Sequence, residues 1–187
     1  MLPTEVKRHR FTAEEYRAIA EAGVLGEDER VELVDGEIVD MAPIESPHLS
    51  CVVAMTHLLV ESSGGRWFVS VQNPVRLGEH DEPQPDLALL RGRPDPAAPA
   101  PPRPEDVLVV IEVSDTTLSY DKNAKLPLYA RVGIPEAWIA DLNGHKVEVR
   151  HHPGPDGYRM SRSFDAGARI VSGAVEGLSV AVDEVLG

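Results

Sequence analysis

Glu112 stands in the run Val107 to Val113, VLVVIEV, whose other residues are all Val, Leu or Ile. A buried, unpaired carboxylate costs several kcal/mol or takes up a proton. Three compensations are open to Glu112: a buried ion pair, a strand end that emerges into solvent, or a metal ion. Asp86 opens a second apolar run, PDLALL over 85–90, where alternation puts Asp86, Ala88 and Leu90 on one face. A hard cation such as Mg2+ takes one or two carboxylates and completes its shell with water and phosphate oxygens. Two carboxylates on adjacent strand ends would therefore suffice. Taken alone, Asp86 also reads as a solvated turn residue after a proline.

Asp121, Lys125 and Tyr129 follow at intervals of four, so they share a helix face, either as an ordinary salt bridge with a tyrosine packed beside it or as part of a site. The chain uses 14 Arg but only 4 Lys, and Lys122 and Lys125 come soon after the strand that bears Glu112. A lysine can orient a water and offset developing phosphate charge. Pro127 removes a helical hydrogen bond and predicts a kink or a delayed helix start.

Other chemistries lack their residues. There is no G-x-S-x-G elbow, P-loop, G-x-G-x-x-G or H-E-x-x-H motif. The single cysteine, Cys51, excludes an internal disulfide and a cysteine-rich zinc site. His151 and His152 alternate across a strand, and His48 and His57 are too far apart to pair on a helix, so these histidines read as surface or packing residues.

The elements that must position these groups are legible from local signals. Thr12 and Glu15 form a capping box for a helix over 12–22, and Asp35-Gly36 joins strands 30–34 and 37–41 as a tight hairpin. Ser46-Pro47 supplies an N-cap and first-turn proline for a second helix with Cys51, Met55, Leu58 and Leu59 on its apolar stripe. Strands are expected at 67–71, 74–77 and 85–90. The stretch 91–106 contains six prolines and predicts an exposed internal loop. A central strand over 107–113, a helix over 119–132, a hairpin of 137–141 and 146–151 around Asn143-Gly144, and an extension over 158–164 complete the order. At 187 residues the expectation is one domain spanning 1–187.

A net charge of −13 argues against a general nucleic-acid coat, so any DNA contact must be local or metal-mediated. Residues 1–106 carry 10 basic and 20 acidic side chains and the remainder 8 and 11. This imbalance predicts that DNA approaches a face formed by Lys122, Lys125, Arg150, Arg159 and Arg162. No apolar stretch nears the roughly 18 residues of a membrane span, and MLPTEVKRHRF lacks the core of a secretory signal, so a cytoplasmic protein is expected. Strand edges left by the hairpins make a homodimer the expected assembly.

The joint order RVELVDGEIVDM, PQPDLALL, VVIEVSDTT and YDKNAKLPLYARVGIPEAWIADL resembles the Uma-type restriction endonuclease family, a branch of the PD-(D/E)xK nuclease superfamily, over about residues 10–185. The resemblance implies an α/β (α+β) fold with a mixed central sheet, flanking helices and β-hairpins. It implies metal-dependent hydrolysis of DNA, with Asp86 and Glu112 as ligands of Mg2+ or Mn2+ and the Val113 carbonyl completing the shell. The superfamily lysine usually lies two residues after the acidic one, where this chain has Ser114. The family draws that lysine from the next helix, which implies Lys125, with Asp121 and Tyr129 as neighbours and Lys122 as the substitute. Glu32 and Gln72 are further candidates for the same cleft. The competing expectation, favoured by the acidic composition and the displaced lysine, is a nuclease-fold dimer that binds or regulates without turnover.

Overall fold

The computed structural model describes residues 8–26, 28–93, 95 and 101–186. Helix α1 (Ala13–Glu21) starts at the expected capping box: Thr12 Oγ1 accepts the Glu15 N–H at 3.1 Å while the Glu15 carboxylate accepts the Thr12 N–H at 2.8 Å. Strands β1 (Val31–Val34) and β2 (Glu37–Asp40) pair through a two-residue turn. Both turn residues are left-handed, Asp35 at φ 52° and Gly36 at φ 76°, as a right-twisted hairpin requires. Helix α2 (Ser46–Ser63) buries Cys51, Val52, Met55 and Leu59. Its N-cap is Glu45, with Ser46 already in the first turn.

Six strands form the main sheet: β3 (Phe68–Val71), β4 (Leu87–Leu90), β5 (Val107–Ser114), β6 (Glu136–Asp141), β7 (Lys146–His151) and β8 (Met160–Asp165), neighbours in that order. Only β5 and β6 run parallel, joined by helix α3 (118–131), and the other pairs are antiparallel. A small pair, β9 (Arg169–Val171) and β10 (Ser179–Ala181), precedes helix α4 (Val182–Leu186). Among the described residues no helix is long and apolar enough to cross a membrane.

Alternation divides the sheet between two cores. Leu87, Leu89, Val109, Ile111, Val113 and Trp138 pack beneath α2 and α4. Ala88, Leu90, Val110, Ala137 and Ile139 face α3 and its Leu126, Leu128 and Tyr129. Because Leu87 pairs with Ile111, one step outward sets Asp86 beside Glu112, both on the α3 side.

One expected strand is absent among the described residues. No strand forms at 74–77; Val75 and Leu77 donate their N–H groups to the Pro83 and Asp81 carbonyls within a loop. The link from β6 to β7 takes four residues, 142–145, with His145 as the left-handed one (φ 47°). Gly144 is needed there for space, since a Cβ would sit 2.4 Å from an Asp141 carboxylate oxygen. The proline-rich stretch is described only at its ends, where Pro104–Asp106 makes a short 3-10 turn into β5 and residues 94 and 96–100 lie outside the described residues.

Helix α3 departs from α geometry where the site needs it. Leu118–Tyr120 leads into a π-helical turn, Asp121–Lys125, and then Leu126–Arg131. The Leu126 N–H bonds the Asp121 carbonyl five residues back. Pro127 has no N–H for the Asn123 carbonyl, and its ring would crowd that carbonyl in a regular α-helix. The widened turn before Pro127 relieves that crowding, and it turns Asp121 and Lys125 into the protein.

Candidate active site

The end of β4, the end of β5, the N-terminus of α2, the π turn of α3 and the β1–β2 hairpin enclose a cavity of about 500 Å³. Glu112 forms part of its floor with 2% of its surface exposed, and Lys125, 3% exposed, reaches it from α3. The Lys125 ammonium lies 2.9 Å from Glu112 Oε1 and 3.4 Å from Glu32 Oε2, and donates to the Gln84 carbonyl at 3.2 Å. Tyr129, wholly buried behind the floor, donates its hydroxyl to Glu112 Oε1 at 2.6 Å. Both contacts of Glu112 thus fall on Oε1.

Asp86 is held from two sides. Its Oδ2 accepts the Val113 N–H at 2.9 Å, and its Oδ1 lies 3.0 Å from His48 Nε2 and 3.4 Å from the Gln72 amide nitrogen. Gln72, left-handed at φ 49°, touches Asp86 without lining the cavity. Glu32 accepts from the Tyr120 hydroxyl at 3.0 Å and the Gln84 N–H at 2.8 Å. Asp121 accepts from Ser114 and Thr117, each at 2.7 Å. Ser114 therefore anchors the turn that delivers Lys125.

Charge is out of balance on this floor. Burial works against the Asp86 charge, yet the His48 ring, the Val113 N–H and Lys125 together hold its carboxyl below the ordinary range. Burial pushes Glu112 up to about 8, against the pull of Lys125 and with the push of Asp121, Asp86 and Glu32. Burial also works against the Lys125 ammonium, but Glu112, Glu32 and Asp121 more than restore it and raise its pKa. One ammonium faces several carboxylates, so lysine keeps its proton and Glu112 tends to hold one as well.

That excess of buried negative charge is what a divalent cation would neutralise in place of a proton. Among the described residues no three His, Cys, Asp or Glu side chains converge as a ready-made metal cage. Hard oxygens from two strand ends suit the Mg2+ class, which keeps several waters, and not a closed zinc site. Asp86 and Glu112 fit that role.

The remaining sequence candidates scatter. Lys122 stays out of the cavity and pairs with Glu148 at 2.7 Å, as does Arg150. Arg162 pairs across the ladder with Val149 and stacks over Phe164, on the opposite sheet face from Arg150. Arg159 is exposed just before β8. The expected basic DNA face is thus not one surface, because successive strand residues point to opposite sides. His48, expected at the surface or in packing, instead contacts Asp86. Its signal was available: 48, 51, 52, 55 and 59 form one helical stripe, which puts His48 on the inward face of α2. Gln84 and Tyr120 were also missed, and no spacing rule points to either.

A family model described as "Uma2: Putative restriction endonuclease" matches residues 13–183. Among solved structures, the chain is similar to a putative nuclease belonging to DUF820 from Anabaena variabilis ATCC 29413. The TM-score is 0.72 at 14% identity, over 94% of this chain and 97% of that one. At that identity the likeness is one of fold. No protein of curated function matches the chain.

Proposed function

This chain belongs to the Uma2 family, and from that premise we propose that it is a metal-dependent endonuclease that hydrolyses DNA phosphodiester bonds. The observation that carries the reading is the meeting of Asp86, Glu112 and Lys125 at one cavity floor, from two neighbouring strand ends and the following helix. Asp86 and Glu112, with the Val113 carbonyl as a candidate third donor, would hold Mg2+ or Mn2+. Such an ion, when bound, polarises a phosphate oxygen and lowers the pKa of a water.

The chain's own residues do the rest. Lys125, fixed between Glu112, Glu32 and the Gln84 carbonyl, presents an ammonium to orient a water or to meet charge developing on the phosphate. Tyr129 and His48 are positioning residues that set the rotamers of Glu112 and Asp86. The Ser114 and Thr117 hydroxyls keep Asp121 in the π turn and so aim Lys125.

The test is cleavage of DNA by purified protein with Mg2+ or Mn2+, with and without EDTA, beside an Asp86→Ala control. The reading expects metal-dependent cleavage that the variant lacks. Equal cleavage by both would trace the activity to a contaminant. No cleavage by the parent under any metal would favour a nuclease-fold protein that binds without turnover.

A further inference from the structure

We infer that the cavity takes a single strand of DNA, one unstacked nucleotide at a time, and not the backbone of an intact duplex; this rests on the nuclease reading of the same floor. Three features of the cavity lead there.

The first is depth. The floor groups Glu112 and Lys125 are nearly sealed, 2% and 3% exposed, beneath walls contributed by five elements. A space of about 500 Å³ falls within the range of pockets that engulf one small ligand. A nucleotide that leaves its stack and enters would bring its phosphodiester to that floor. A duplex would have to unpair to do so, whereas a single strand need not.

Charge at the mouth is the second feature. Duplex affinity rests on several Lys or Arg contacts to a backbone carrying one charge per roughly 1.7 Å of axis. Here the walls carry Asp40, Glu45 and Asp115, while the one arginine among them, Arg30, donates to the Ala42 carbonyl at 3.0 Å and so holds the wall itself. Lys122 and Arg150, two of the residues expected to make a basic track, are tied to Glu148. Among the described residues, none of these groups makes a basic track for a second strand.

The third is an apolar wall. Residues 41–44, Met-Ala-Pro-Ile, line one side, and Ile44 stays 40% exposed. Thr116 stands among the lining residues with its hydroxyl, and Tyr120 and Gln84 add further polar groups. An apolar surface in a cavity that also carries polar groups is what a splayed base can lie against without pairing.

Binding and cleavage are measured separately. Fluorescence anisotropy in Ca2+, which leaves the DNA intact, compares a short single strand with its blunt duplex for the parent and for Ile44→Asp. The inference expects the single strand to bind about tenfold more tightly than the duplex, and the variant to lose most of that preference. Duplex binding as tight or tighter, or no binding of either, overturns it. An unchanged preference in Ile44→Asp overturns the role of the wall. Cleavage in Mg2+ then separates the two claims. Single-strand preference in binding without cleavage of any DNA keeps this inference and sinks the nuclease reading. Equal cleavage of both forms keeps the nuclease reading and sinks this inference.

Discussion

Replacing Lys125 by Met keeps most of the side-chain volume and removes the ammonium that faces Glu112, Glu32 and Asp121 on the cavity floor. Removing one partner of a buried ion pair costs about 3–5 kcal/mol, because the other charge is left uncompensated. A carboxylate can escape part of that cost by taking a proton. Glu112 already tends to be neutral at pH 7, so the charge left stranded belongs to the other carboxylates, and from an ordinary carboxyl value of about 4.3 staying neutral at pH 7 costs roughly 3 to 4 kcal/mol at about 1.4 kcal/mol per pH unit. The expected loss at pH 7 is therefore about 3 kcal/mol. At pH 5 the same proton costs under about 1 kcal/mol, so most of the loss should vanish. Urea unfolding of both proteins at the two pH values reads this directly. Adding Glu32→Gln to Lys125→Met should recover part of the stability, since it removes one stranded charge. A loss below about 1 kcal/mol at pH 7, or one that is the same at pH 5, would refute the charge balance described for the floor.

Glu112→Gln by itself should flatten the pH dependence of stability. The folded pKa of Glu112 is raised, so its contribution is fully present below about 4.5 and is lost as pH rises toward 8. The parent should weaken over that window more than the variant in parallel urea titrations. His48→Ala removes a contact that helps hold Asp86 below the ordinary carboxylate range, so the acid limb of stability, lost as pH falls through that pKa, should move upward. Calorimetry should also show Mn2+ affinity reduced about 10- to 100-fold in that variant, as for other groups that orient a ligand. Glu136→Gln should cost about 2 kcal/mol by thermal unfolding, because the carboxylate accepts from Trp138 Nε1 and from the Gly173 and Ala174 N–H groups at 2.5–3.0 Å. A stability unchanged by that substitution would mean those bonds do not anchor the 173–174 loop.

How much of this could be read from the chain depended on how local each determinant was. The capping box at Thr12, the Asp35-Gly36 turn and the doubly covered strand around Val110 are written in a few adjacent residues, and each formed as expected. Alternation also put Asp86 on the face of Ala88 and Leu90, and the antiparallel register then set it next to Glu112. The β6–β7 hairpin around Asn143-Gly144 also formed, with His145 as its left-handed residue. Pro127 announced a disturbance in α3, but not that a π turn would absorb it and turn Lys125 inward. Side-chain groups at the cavity were the least legible. His48 and Tyr120 meet Asp86 and Glu32 only through tertiary packing, 38 and 88 residues apart in sequence. The placement of the basic residues was illegible for the opposite reason: net charge counts residues but not their sides, and Glu148 pairs with both Lys122 and Arg150.

The central claim is that Asp86 and Glu112 share one divalent cation beside Lys125. Anomalous scattering from crystals soaked in Mn2+ tests it most directly, because the peak identifies the ion and its ligands together. The account predicts one peak on the cavity floor, about 2.0–2.3 Å from an oxygen of Asp86 and from Oε2 of Glu112, with the Lys125 ammonium still paired to Oε1. A fully soaked crystal with no peak at this floor, or with its strongest peak at ligands other than these two carboxylates, would contradict it.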